Sequence, residues 1–260
     1  MNLERSDGEL LSASLLSRIE RLQLATRRRL SGALTGEHRS PRHGSSLDFA
    51  DFREYNPGDD LRRLDLHAMA KHDKLMLKLF EAEDDLALRI LIDTSGSMAG
   101  AKLRRAAQIA GALGFAALVR RDIVTVHTFP IETSAPRFRG RVAAQPLFDL
   151  LGSLEAEGET AFAEATLRLL ARPGPAGLTV VLSDLLTADW EEGLRRLPAR
   201  RGDLVVVHVL DPVDLDPDLT GDLELVDAES GARVEVSLSA AVADEYRQLA
   251  NRWADDVAAR

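Results

Sequence analysis

From residue 86 onward, the chain alternates short apolar runs with longer segments in which apolar residues recur at helical spacing. Four runs are almost continuously apolar: 86–92, 123–129, 178–183 and 204–210. They predict buried strands, because a half-exposed strand would alternate apolar and polar residues. Helices are predicted between and after them, over 102–120, 145–154, 161–171, 190–197 and 239–258. We therefore predict an α/β fold with a doubly wound, mostly parallel sheet that helices cover on both faces.

The first 80 residues differ in pattern and predict an N-terminal helical and loop extension. We expect a helix at 10–30, a loop at 33–50, a turn at Asn56-Pro57-Gly58-Asp59, a short helix through Lys71 and a strand at 74–80. This segment holds 14 basic and 12 acidic residues, net +2, which leaves −11 for the rest of a chain of net charge −9. The predicted domains are therefore 1–80 and 81–260, and the second includes a β-hairpin formed by 223–226 and 233–238.

Composition excludes several classes of protein. A net charge of −9 argues against nucleic-acid binding, which needs a basic surface. The absence of cysteine excludes disulfides and thiolate metal sites. The longest uncharged run, 106–119, has 14 residues and is too short to span a bilayer, and the N-terminus does not resemble a signal peptide. We expect a soluble, cytoplasmic protein.

Oxygen-bearing side chains stand at the predicted strand and helix ends, where open α/β sheets bind their ligands. Asp93, Ser95 and Ser97 follow the first strand, Thr160 precedes the helix at 161–171, and Asp184 follows the third strand. Hard oxygen donors suit Mg²⁺, with Mn²⁺ or Ca²⁺ as alternatives. Taken singly, the hydroxyls also fit helix caps and Asp184 fits a loop brace, so both interpretations stay open.

The spacing Asp93-x-Ser95-x-Ser97, followed by Thr160 and Asp184, resembles the metal-ion-dependent adhesion site (MIDAS) of von Willebrand factor A domains. Residues 40–49 and 53–65 resemble the signature of the bacterial family named domain of unknown function 58, although Leu66 stands where that family usually has Trp. The resemblance covers about residues 10–260. It implies a von Willebrand factor A-like domain at 81–260, and members of the family are usually encoded beside MoxR-type AAA+ ATPases.

The resemblance implies a non-enzymatic, divalent-metal-dependent adaptor that binds an Asp or Glu of a partner protein, with a MoxR-type AAA+ ATPase as the expected partner. If Asp184 acts through a water, the ion stays positive and favours an incoming carboxylate. Two alternatives stay open: metal-assisted hydrolysis at the same site, and a structural interaction protein in which the site is unused. No catalytic residue is predicted, because the sequence places no group to activate a water and contains no P-loop.

Overall fold

The computed structural model describes residues 10–30, 47–55, 64–65, 69, 74–82, 87–132, 136–172, 177–199 and 202–260. The chain divides into two compact units, one formed by Met1–Arg27 with Leu86–Arg260 and the other by Arg28–Asp85. The larger unit therefore includes residues 1–27, which the sequence analysis assigned to the N-terminal segment. Helix α1 (Ala13–Leu30) falls mainly in this larger unit.

The smaller unit contains an antiparallel pair of strands, β1 (Leu47–Glu54) and β2 (Met76–Ala82). Leu64 forms an isolated bridge to Leu77 of β2. The prediction of a loop through residue 50 is wrong at 47–50, because these residues belong to β1 and the first three of them pair with β2. Several predicted features lie outside the described residues: the turn at 56–59, the remainder of the signature between 40 and 63, and nearly all of the short helix through Lys71.

The larger unit alternates strands and helices, as predicted. In chain order, its elements after α1 are β3 (Ala87–Asp93), α2 (Ala101–Val119), β4 (Ile123–Phe129), β5 (Arg137–Arg139), α3 (Ala144–Gly152), α4 (Phe162–Ala171), β6 (Gly177–Ser183), α5 (Trp190–Arg196), β7 (Gly202–His208), α6 (Pro212–Leu215), β8 (Gly221–Val226), β9 (Arg233–Leu238) and α7 (Ala240–Ala258). The short elements β5 and α6 were not predicted.

Five of these strands form one sheet in the order β5-β4-β3-β6-β7. Neighbouring strands are parallel except for β5, which runs antiparallel to β4. The prediction of a mixed α/β fold with a mostly parallel sheet is therefore confirmed. After β3 the chain adds β4 on one side and later β6 on the other, so the strand order reverses between β3 and β6. Such a reversal opens a crevice at the carboxyl ends of the strands.

Apolar side chains pack against both faces of this sheet. Strand β3 is buried along its whole length and directs Leu88, Ile90 and Ile92 to a cluster shared with α2 and α3. Its Leu91 belongs to a second cluster that includes residues of α4 and α7. The alternation follows from the two-residue period of a strand, which sends successive side chains to opposite faces. Packing on both faces fixes the ends of β3 and β6, where the candidate site lies.

Strands β8 and β9 form a two-stranded antiparallel sheet separate from the five-stranded one. Most of their residues are exposed, and the turn between them runs from Asp227 to Ala232. This hairpin matches the prediction at 223–226 and 233–238. Within the described part of the chain, no helix combines the length and apolar character needed to cross a membrane.

Candidate functional site

Asp93 is the last residue of β3, and its side chain is fully buried. One carboxylate oxygen, Oδ1, accepts a hydrogen bond from the backbone N–H of Ser95 at 2.9 Å. The other, Oδ2, accepts one from the hydroxyl of Ser183 at 2.5 Å. The hydroxyls of Ser95 and Ser97 lie 3.1 Å apart on the following turn. The structure therefore gathers the three predicted donors of this motif on one turn.

Burial raises the pKa of Asp93 from its ordinary value of 3.8 to about 6. The hydrogen bonds from Ser183 and Ser95 oppose this rise because they stabilise the charged form, whereas the nearby charge of Asp184 adds to it. A cation beside this carboxylate would favour its ionised form. The Asp93 carboxylate is thus a group whose charge a bound metal ion would stabilise.

The three loops that carry the predicted donors lie together. The N–H of Glu157 donates to the carbonyl of Thr94 at 2.7 Å, and the N–H of Gly96 donates to the carbonyl of Gly158 at 3.0 Å. These bonds join the turn after β3 to the loop that leads to Thr160. Ser183, which bonds Asp93, directly precedes Asp184 at the end of β6. All three loops therefore meet at the crevice between β3 and β6.

Thr160 does not cap helix α4. The helix begins after Ala161, which makes no side-chain cap, and the N–H of Ala163 donates instead to Asp189 Oδ2 at 2.9 Å. The Thr160 hydroxyl donates to Glu229 Oε1 at 2.6 Å, and its N–H donates to Glu229 Oε2 at 2.8 Å. Ser95, likewise, makes no cap bond at the 3₁₀ turn of Gly96–Met98. The capping interpretation is therefore wrong for Ser95 and Thr160.

Asp184 is fully buried and braces its own loop, since Oδ1 accepts from the N–H of Leu186 at 3.1 Å. Its Oδ2 lies 2.8 Å from the ammonium of Lys102, which lies 3.0 Å from Asp214 Oδ2. Burial disfavours the charge of Lys102, but its hydrogen bonds and its attraction to these two acids outweigh burial and raise its pKa above the ordinary value. Lys102 therefore offsets one of the two negative charges of Asp184 and Asp214.

His208 adjoins this ion pair. Its Nε2 lies 2.9 Å from the backbone carbonyl of Asp184, so this nitrogen carries the proton and donates. The imidazole also packs edge-on against Trp253, with ring centroids 5.0 Å apart. Burial lowers the pKa of His208, against the opposing effect of the Asp184 carbonyl and the nearby acids. The histidine therefore serves as a structural hydrogen-bond donor at the end of β7.

Sequence reasoning missed three residues of the site. Lys102 lies in the first turn of α2, where the helix dipole disfavours a cation, and this anomaly was a usable signal. Ser183 offered only its position before Asp184. Glu229 lies in the turn of a predicted hairpin, and no local feature indicated that the turn reaches Thr160.

The predicted donors would offer a hard cation more hydroxyl groups than carboxylate groups. Where the structure describes the chain, no group of three or more His, Cys, Asp and Glu side chains is arranged to hold a metal ion. The loops instead bring one carboxylate, from Asp93, against Ser95, whose hydroxyl lies beside that of Ser97, and the same turn contacts the loop of Thr160. Oxygen donors of this kind fit Mg²⁺, which keeps several waters and needs few protein ligands. Both oxygens of Asp184 already have partners within the chain, since Lys102 donates to Oδ2 and the N–H of Leu186 donates to Oδ1.

Comparisons with known proteins identify a family and several relatives. The profile of the family described as "Protein of unknown function DUF58" matches residues 51–255. "Uncharacterized protein Rv1480" of Mycobacterium tuberculosis (strain ATCC 25618 / H37Rv) is 27% identical over 264 residues, which covers 96% of this chain and 82% of the relative. "Uncharacterized protein MAV169" of Mycobacterium avium is 36% identical over 84 residues, or 32% of this chain and 48% of that protein.

One solved structure is also similar. It is the crystal structure of an aerotolerance-related membrane protein from Bacteroides fragilis NCTC 9343 with multiple mutations to serines. The match has a TM-score of 0.39 and 17% sequence identity, and it covers 64% of this chain and 88% of that chain.

Proposed function

We propose that this chain, which belongs to the family described as "Protein of unknown function DUF58", is a divalent-metal-dependent protein-binding module of the von Willebrand factor A type. The observation that carries the proposal is the meeting of three oxygen-bearing loops at the crevice between β3 and β6. Asp93, Ser95, Ser97 and Thr160 would hold Mg²⁺, and Asp184 would act through a water. The ion would supply a positive charge that attracts a carboxylate.

The charges around the site support an acidic partner. Asp93 contributes one negative charge, and Lys102 offsets one of the two negative charges of Asp184 and Asp214. A divalent ion beside Asp93 alone keeps 2 − 1 = +1, so an external carboxylate would complete its neutralisation. Were Asp184 an unbalanced direct ligand, the net charge would be zero and an acidic partner would gain little.

The surroundings of the site favour binding over catalysis. A hydrolase needs a group that can take a proton from a metal-bound water. Among the described residues beside Asp184, the His208 Nε2 donates to a backbone carbonyl and Lys102 is bound between two carboxylates. Neither is arranged as a general base, and both oxygens of the nearby Glu229 carboxylate accept hydrogen bonds from Thr160. We therefore propose a non-enzymatic role.

We further propose that the partner is a protein that presents an Asp or Glu side chain, and that a MoxR-type AAA+ ATPase is the first candidate. The basis for the ATPase is the resemblance of the N-terminal signature to a family encoded beside such ATPases. An ATPase of this kind would supply the free energy of ATP hydrolysis, and the module would supply metal-dependent recognition of an acidic side chain.

The test combines metal binding with partner binding. We expect Mg²⁺ to bind the wild-type chain by isothermal titration calorimetry, and the purified MoxR-type ATPase of the same genome to bind with Mg²⁺ and to be released by EDTA. Asp93→Ala should abolish both effects. Asp203→Ala, which removes an exposed acid at the opposite end of the sheet, is the matched control and should change neither. Equal ATPase binding by wild type and Asp93→Ala, or by wild type in Mg²⁺ and in EDTA, would contradict the proposal.

A further inference from the structure

The turn between β8 and β9 lies directly against the site. A Cβ atom built on Gly96 would lie 2.3 Å from the carbonyl oxygen of Ala228 and 3.2 Å from the Cα of Glu229. Only a residue without a side chain allows such an approach, and Gly96 stands between Ser95 and Ser97 of the donor motif. The hairpin turn is therefore fitted to the donor turn by backbone contact, and not by a long side chain alone.

Glu229 extends from this turn to Thr160. Its two carboxylate oxygens accept from the hydroxyl and from the N–H of Thr160, at 2.6 and 2.8 Å. Both groups are half-buried, so water competes less for these bonds than it would at an exposed site. An acidic side chain of the chain itself is thus held by a residue that the proposed function assigns to metal binding.

The turn that presents Glu229 is internally braced. Asp227 Oδ1 accepts from the N–H groups of Glu229 and Ser230, at 3.0 and 2.7 Å, and from the Ser230 hydroxyl at 2.8 Å. The N–H of Asp227 donates to the carbonyl of Ala232 at 2.8 Å and closes the turn. These bonds preorganise the carboxylate of Glu229, so little conformational entropy is lost when it binds Thr160.

We infer that Glu229 is an internal carboxylate that occupies the place of a partner's Asp or Glu side chain and so closes the site of the unpartnered protein. The inference rests on the proposed function and adds its regulation. A partner's acid must displace Glu229. The measured association constant is therefore the intrinsic constant multiplied by the fraction of molecules in which Glu229 has left Thr160.

The experiment measures binding of acetate, a minimal carboxylate, to the Mg²⁺-saturated protein through the NMR shift of the Thr160 amide. Glu229→Ala removes the internal carboxylate. Glu235→Ala is the matched control. Glu235 is an exposed acid of the same hairpin that lies opposite Glu224 across the strands and does not reach the site. We expect acetate to bind Glu229→Ala at least tenfold more tightly than wild type or Glu235→Ala, with no binding in EDTA.

The other outcomes each overturn a defined statement. Equal acetate affinity in wild type and Glu229→Ala, or no acetate binding to any Mg²⁺-loaded variant, would overturn the internal-carboxylate inference and leave metal binding intact. Absence of Mg²⁺ binding by calorimetry in wild type and Glu229→Ala alike would overturn the proposed function itself. Glu229→Gln, which keeps the shape of the side chain and removes its charge, provides the same comparison if the alanine variant does not fold.

Discussion

The buried cation Lys102 allows a sharp test of the electrostatics of the site. Its ammonium lies 2.8 Å from Asp184 and 3.0 Å from Asp214, and the Lys102 and Asp184 side chains are only 8% and 0% exposed. At an effective dielectric constant of about 20, each contact corresponds to about 6 kcal/mol of Coulomb attraction before the cost of desolvation. Loss of one partner of such a buried pair typically lowers stability by about 3–5 kcal/mol, because the remaining charge is left unbalanced.

We therefore expect Lys102→Met to lower the free energy of unfolding by about 3–5 kcal/mol at pH 7 in EDTA. The assay is denaturant unfolding followed by tryptophan fluorescence, since both tryptophans, Trp190 and Trp253, lie in the larger unit. The double variant Lys102→Met/Asp184→Asn removes one of the two stranded charges and should recover about 2 kcal/mol.

The control for this prediction is Arg168→Met. Arg168 pairs with Glu164 at a similar 2.9 Å, but the two side chains are 37% and 66% exposed. Such an exposed pair contributes less than about 1 kcal/mol. A loss below about 1 kcal/mol in Lys102→Met, or a double variant no more stable than the single one, would refute the assignment of a buried ion pair.

Three further predictions concern the site and its support. The first compares the unfolding free energy of wild type with that of Asp93→Asn in EDTA: their difference should fall by about 3 kcal/mol as the pH rises from below 4 to above 6. The reason is that the folded state holds the Asp93 proton up to a pKa of about 6, whereas the unfolded state releases it near 3.8. A difference that is constant with pH would contradict the raised pKa. Gly96→Ala should force the hairpin turn away and raise amide hydrogen exchange at Thr160 at least tenfold, whereas Gly152→Ala, whose new Cβ meets no atom within 4 Å, should not. Gly193→Ala would place a Cβ 2.3 Å from the ring of Phe162 and should lower stability by about 1–3 kcal/mol, measured as a fall in Tm; an unchanged Tm would show that the ring moves aside without cost.

The central strands could be predicted from the sequence because both faces of the sheet are covered. Strand β3 has no exposed residue, so its composition is nearly continuous in apolar side chains, and β4 was predicted with its observed bounds. Strand β1 could not be found in this way. Its sequence, LDFADFRE, mixes acids and aromatics, and it forms by pairing with β2. Helix α6 was predictable, since Asp211 caps it and Pro212 occupies its first position.

The candidate site divides in the same way. Asp93, Ser95, Ser97 and Asp184 were found because they follow strands, and the carboxyl ends of parallel strands meet at one edge. The contacts that modify them were not found because they join distant parts of the chain. Lys102 and Asp184 are 82 residues apart, and Thr160 and Glu229 are 69 apart. Only the folded chain shows that these carboxylates already have partners.

The hairpin β8–β9 stands outside the five-stranded sheet, and a lone pair of strands is only marginally stable in water. Its docking at Gly96 and Thr160 therefore supplies part of the free energy that keeps it ordered. Thermodynamic coupling is reciprocal. The free energy by which the docked hairpin weakens binding of a competing carboxylate equals the free energy by which that carboxylate weakens docking of the hairpin. Occupancy of the crevice and order of the hairpin are therefore coupled through a single equilibrium.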